Sequence, residues 1–298
     1  MKKSEDFQSQ YAAGQRNFGY ADLPRFELIN QVLHDLNFCR ANLRWSNLSG
    51  SDLTGACFSG ADLSHAHLIG ANFSGTDLSR ADLTGADLSW VNFTNANLSY
   101  ATLKEVNLSH ANLSKANLSG ANLQGAVLRG VDLTGAQLGR ANLSRVNLTN
   151  ANLAGATLNK ADLSQSKLNL ANLQKSVLQR ADLTQGNLRG ADLRGAVLRD
   201  VSLSEVTLSE LHRQQLDSQI NLHLADLQDA DLSGAILKGA DLRYAVLTGA
   251  NLSNINLRGA HLIDALLCGA DLRQVDLKGS IFSQVILAEA TMPDGTVR

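Results

Sequence analysis

Leucine returns every five residues through most of this chain, and that spacing excludes the usual ways of burying a leucine. In the stretch 111–128, Leu113, Leu118, Leu123 and Leu128 mark the beat, and Ala111, Ala116, Ala121 and Ala126 each stand two residues earlier. An α-helix turns about 100° per residue, so residues five apart scatter around its cylinder. A straight strand alternates faces and would send successive leucines to opposite sides. A backbone that turns a corner every five residues brings them all inward, with the small residue filling the space beside each. Stacked coils of such a backbone pair their N–H and C=O groups with the coils above and below at roughly 4.8 Å. The pattern therefore predicts a solenoid held together by nearest neighbours. Each buried leucine contributes about 1.5–3 kcal/mol.

The beat starts at Phe18 and Leu23, is regular from Phe38 to Leu208, and is interrupted once. Leu222 follows Leu208 after fourteen residues instead of five, so nine extra residues fall within 209–220. The beat then resumes through Leu287 and ends on Met292. The residue before the leucine is usually Asn or Asp, as at Asn42, Asp52, Asp62 and Asn72. Such side chains bond nearby backbone at corners or stack as ladders between coils. Glycine often falls two after the leucine (Gly50, Gly55, Gly60, Gly70), where a corner needs positive φ. Residues 4–13 read as a short helix with Ser4 as its cap, Phe7 and Tyr11 on one face and Gly14 at its end. The expected organisation is a helical cap over 1–15, β-helix over 16–208, an inserted loop at 209–220, the same rod continuing over 221–292, and a tail at 293–298.

Composition narrows the function. With 26 basic and 28 acidic residues the net charge is -2, which favours neither nucleic acid nor a membrane surface as partner. Cys39, Cys57 and Cys268 show no disulfide or zinc spacing, so unpaired thiols and a reducing, cytoplasmic location are expected. The start has no apolar run suited to a secretory signal, and no stretch approaches a membrane span. The histidines lack metal-ligand spacing, and no phosphate loop or nucleophile elbow occurs. No metal, no cofactor and no enzymatic activity are expected, because a tube filled with leucine leaves no substrate cavity.

The unit A(D/N)LXX resembles the signature of the pentapeptide repeat proteins, over residues 16 to 292. The resemblance implies an all-β fold: a right-handed quadrilateral parallel β-helix with four pentapeptides per coil, here with a short N-terminal helix cap. YAAGQRNF at 11–18 and ATMPDGTVR at 290–298 look like the ends of cyanobacterial members. The function so implied is a non-catalytic protein–protein interaction scaffold, a monomer that binds a regulatory protein in a signalling or cell-differentiation pathway. One alternative is a DNA mimic that binds type II topoisomerase (gyrase), which calls for a more acidic rod than this. Another is a passive structural rod. Two kinds of binding site are expected. One is the inserted loop, with Glu210, His212, Arg213 and Asp217. The other is a basic column at twenty-residue spacing, Arg140, Lys160 and Arg180, with a second series at Lys238, Arg258 and Lys278. Trp45, Trp90, Tyr100 and Tyr244 should face outward as candidate hot spots.

Overall fold

The computed structural model describes residues 2–203, 206 and 220–298. It divides into two compact units, Met1–Val146 and Asn147–Arg298.

In the first unit the backbone closes a coil every twenty residues. Parallel bridges join Asn17 to Asn37, Asp22 to Asn42, Glu27 to Asn47 and Val32 to Asp52, and the same register repeats coil after coil. Four pentapeptides therefore make one coil. The pentapeptide 61–65 accounts for all five of its backbone donors. Ala61 N closes a turn onto Phe58 O (2.9 Å), Asp62 N reaches back one coil to Ala41 O (2.9 Å), and Leu63 N reaches forward to Asp82 O (2.7 Å). His65 N also reaches forward, to Thr84 O (2.9 Å). The remaining donor, Ser64 N, points outward and finds the side-chain oxygen Asp62 Oδ1 at 3.0 Å. The Asn or Asp before the leucine thus supplies the one acceptor that the coil's own backbone lacks. It also builds ladders: Asn72 Nδ2 donates to Asp52 Oδ1 (3.1 Å), and Asn92 Nδ2 to Asn72 Oδ1 (2.9 Å).

Inside, the leucines and their small partners are fully buried, Leu98 and Leu118 among them. Phe38, Phe58, Phe73 and Phe93 run through the core with ring centroids 5.2–5.4 Å apart. Helix α1 (Lys2–Ala12) lies on the first coils. Its buried Phe7 packs on Phe18 (4.4 Å), Phe26 (5.0 Å) and Phe38 (6.0 Å). The helix starts at Lys2, so Ser4 lies inside its first turn and is not the cap; the lysines ahead of it are good helix formers.

The expected positive φ at the corner holds beyond glycine, and the expectation of unpaired thiols is corrected. The corner two residues past the leucine has positive φ whether or not it is glycine: Arg80, Trp90 and Tyr100 sit at 59°, 60° and 59°. The turn requires that conformation at its third residue, and the inter-coil hydrogen bond made there helps hold an L-residue in it. The cysteines are also not all free. Cys39 and Cys57 form a disulfide with Cα atoms 5.5 Å apart. The residue after one leucine lies beside the residue before the leucine of the next coil, eighteen positions on. Asn72 Nδ2 meets Thr54 Oγ1 (2.9 Å) and Gln174 Nε2 meets Asp192 Oδ2 (2.8 Å) by the same geometry. Disulfides persist in oxidising surroundings, so the cysteine-based expectation of a reducing compartment loses its premise.

The second unit repeats the twenty-residue register, as in Asn152↔Asn172. At Asp192↔Asn221, Val197↔Asp226 and Ser202↔Asp231 the separation is 29 residues, and it returns to twenty from Asn221↔Asp241 onward. The nine added residues therefore leave the coil register intact on both sides. Leu148 and Leu198 are buried. At the C-terminus the chain folds back, with an antiparallel bridge from Thr291 to Val297 and Arg298 N donating to Ala290 O (3.0 Å).

Candidate interaction surface

The outer surface is made of the two residues flanking each leucine and the corner residue that follows. The expected loop residues Glu210, His212, Arg213 and Asp217 lie outside the described residues. Arg140 is a corner residue of the first unit, while Lys160 and Arg180 are corner residues of the second. Arg180 Nε contacts Asp200 Oδ2 at 3.2 Å, one coil further on, so this series ends in an exposed ion pair. In the other basic series Arg258 Nη1 lies 3.4 Å from Asp276 Oδ2.

The aromatic corners are exposed and braced. Trp45 is 51% exposed and Trp90 65% exposed. Trp45 stacks on His65 of the next coil at 4.3 Å, and Trp90 on His110 at 4.6 Å. Tyr100 (64% exposed) leans over Gly120, where an added Cβ would come 2.7 Å from the ring. Tyr244 meets His223 edge-on at 5.5 Å. Each ring is fixed by a neighbour twenty residues away, apart from Tyr244, whose neighbour is twenty-one residues back. An open depression of about 430 Å³ lies beside Trp45, lined by Arg25, Glu27, Asn47 and His67. Its charged and aromatic members escaped the sequence reading, apart from Trp45. The available signal was that Glu27 and His67 stand where Asn or Asp is the rule.

The repeat is matched by the family model for pentapeptide repeats at residues 17–55, 56–95, 96–135, 220–259, 245–284 and 255–292, and by the model for a pentapeptide repeat region at 136–212. The chain belongs to the pentapeptide repeat family. As a pentapeptide repeat protein it is a right-handed β-helical solenoid. It is 32% identical to HetL, a pentapeptide repeat protein involved in heterocyst differentiation regulation from the cyanobacterium Nostoc sp., over 99% of this chain and 98% of that one, with a TM-score of 0.36. It is 32% identical to the pentapeptide repeat protein Rfr23 from the cyanobacterium Cyanothece, over 35% of this chain and 78% of that one, with a TM-score of 0.20. QnrB1, a plasmid-mediated fluoroquinolone resistance protein, is 18% identical over 70% of this chain and 87% of that one, with a TM-score of 0.36. No curated protein sequence matches the chain.

Elsewhere on this pentapeptide repeat surface the charges are turned to structure. In Asp192–Arg194, Asp241–Arg243 and Asp271–Arg273 the guanidinium brackets the carboxylate two residues back at 2.6–2.7 Å. The Arg243 and Arg273 hydrogen bonds hold Asp241 and Asp271 below the usual carboxylate range. At Asp192 burial pushes the other way, but the bonds from Arg194 and Gln174 outweigh it and the carboxyl is again lowered. Among the described residues no group of three His, Cys, Asp or Glu is placed to hold a metal. No described helix is long and apolar enough to cross a membrane.

Proposed function

We propose that the chain is a non-catalytic protein–protein interaction module that presents braced side chains on a rigid β-helical surface to a regulatory protein. The observation that carries this reading is the pair of exposed tryptophans, Trp45 and Trp90, each held against a histidine of the next coil. An exposed tryptophan already fixed in one orientation loses little entropy on binding, and tryptophan is enriched among residues that dominate interface energies. The interior, filled by leucine, leaves recognition to the outer face. The similarity to HetL, involved in heterocyst differentiation regulation, supports a regulatory partner.

The test is affinity capture from a native lysate with the wild-type chain, Trp45→Ala, Trp90→Ala and the double variant, read by quantitative mass spectrometry. A specific protein should be captured by the wild type and lost by at least one variant, with all four melting alike. Identical captured sets for the wild type and the double variant would remove the basis of this reading.

A further inference from the structure

One face of the first coils breaks the repeat's own rule. On that face the residues before the leucines are Glu27, Asn47, His67 and Asp87, and those after are Ile29, Ser49, Ile69 and Ser89. Ser49 N is capped by Asn47 Oδ1 (3.1 Å) and Ser89 N by Asp87 Oδ1 (3.1 Å). Ile29 and Ile69 follow Glu27 and His67 and have no such cap among the described residues. Both isoleucines are exposed, at 44% and 42%. Forfeiting a hydrogen bond and exposing an aliphatic side chain at two places on one face brings the fold nothing. Local rules broken without structural gain mark function.

The corner beside this face carries Arg25, then Trp45, then His65, and the depression opens between that corner and the row Glu27, Asn47, His67. Among the described residues the side chains of Arg25, Glu27 and His67 have no partner within the chain, whereas nearby Arg44 is paired to Asp62 and Arg40 donates to Tyr20. An aromatic plate, two exposed isoleucines and unpaired charges of both signs therefore share one small area. A nucleotide would call for concentrated positive charge, and a sugar would leave both charges unanswered. A polypeptide answers all of them.

We propose that this face, built from Arg25, Glu27, Ile29, Trp45, His67 and Ile69, docks an extended segment of a partner protein. The segment lays an apolar side chain on Trp45 and brings an acidic side chain to Arg25 and a basic one to Glu27. The Asn47 amide and the His67 ring are placed to hydrogen-bond its backbone. This inference rests on the reading of the chain as an interaction module and assigns that module's contact face.

A display library of random peptides panned on the full chain tests it, with wild type, Trp45→Ala, Trp90→Ala and the charge swap Arg25→Glu/Glu27→Arg. All four side chains point outward, and matched melting temperatures establish that each variant is folded. The wild type should enrich peptides with an apolar residue between one acidic and one basic residue. Trp45→Ala should lower that enrichment by roughly tenfold or more, Trp90→Ala should leave it, and the charge swap should enrich the opposite charge order. No enrichment above an unrelated protein, or the same peptides from all four chains, overturns the proposal. Loss with Trp90→Ala but not with Trp45→Ala also overturns it, while leaving the interaction module standing at the other corner.

Discussion

A serine in the inward small position costs least where its hydroxyl finds an oxygen. Ser176 Oγ donates to Leu173 O (2.7 Å) and Thr76 Oγ1 to Phe73 O (2.6 Å), and Ser51 donates to Leu28 O. Ser46 and Ser166 are buried without a partner. Alanine fills this position in most pentapeptides, so Ser166→Ala should raise stability by about 1 kcal/mol, the desolvation cost of an unmade hydrogen bond. Denaturant unfolding checks this, and a loss of stability would mean that the hydroxyl is satisfied after all. Gly120 illustrates a second rule. Its φ of +68° alone does not demand glycine, since Tyr100 and Arg140 take similar values, but the Tyr100 ring occupies the space of its missing Cβ. Gly120→Ala should cost about 1–2 kcal/mol from the left-handed backbone and a further amount from displacing the ring. In a Tyr100→Ala background only the backbone part should remain, so in a double-mutant cycle the double variant should be less destabilised than the sum of the two single variants. Additive effects would show that the ring does not press on that corner.

At the scale of the coil, the decisive spacings are eighteen and twenty residues. Twenty brings like positions into ladders, as with Asn72 over Asp52, and eighteen brings the residue after one leucine beside the residue before another. Cys39 and Cys57 fall at the second spacing and close a loop of sequence separation 18 around the coils on which α1 sits. In the chain-entropy model a loop of this size stabilises by about 3 kcal/mol. Reduction, or Cys39→Ser, should therefore lower the melting temperature, and thiol titration of the unfolded, unreduced chain should find Cys268 as the only free thiol. Three titratable thiols, or a melting curve indifferent to reductant, would contradict the cross-link. The eighteen-residue relation is present in the sequence, but a twenty-residue coil points only to like positions stacked in columns, and the diagonal contact two residues short of a full coil is set by how the side chains on either side of the leucine lean. Hence the sequence reading treated these cysteines as unrelated.

Over the whole molecule the charges nearly cancel, and stability against acid depends on bracketed carboxylates. Asp241 and Asp271 are lowered by their arginines, Asp192 is lowered despite its burial, and Asp52 is lowered chiefly by the Thr54 hydroxyl. A carboxylate whose folded value is depressed adds stability above its unfolded value, about 4, and loses it as pH falls through the folded one. The melting temperature should thus be nearly flat from neutral pH to about 5 and fall below about 4. Replacing Arg243 and Arg273 with Gln should shrink that fall, and a profile that stays flat into strong acid would show that the brackets are idle. The sequence by itself determined the inward row, the small residue beside it, the outward tryptophans and the nine-residue interruption. Those follow from a five-residue period and from the volume of a narrow core, both of which are local. Only the tertiary structure decided which outward residues meet: the Cys39–Cys57 bond, the Trp45–His65 stack, and the depression that gathers Arg25, Glu27 and His67 beside Trp45. These depend on how side chains of successive coils lean across one another, a relation between pentapeptides that no single pentapeptide contains.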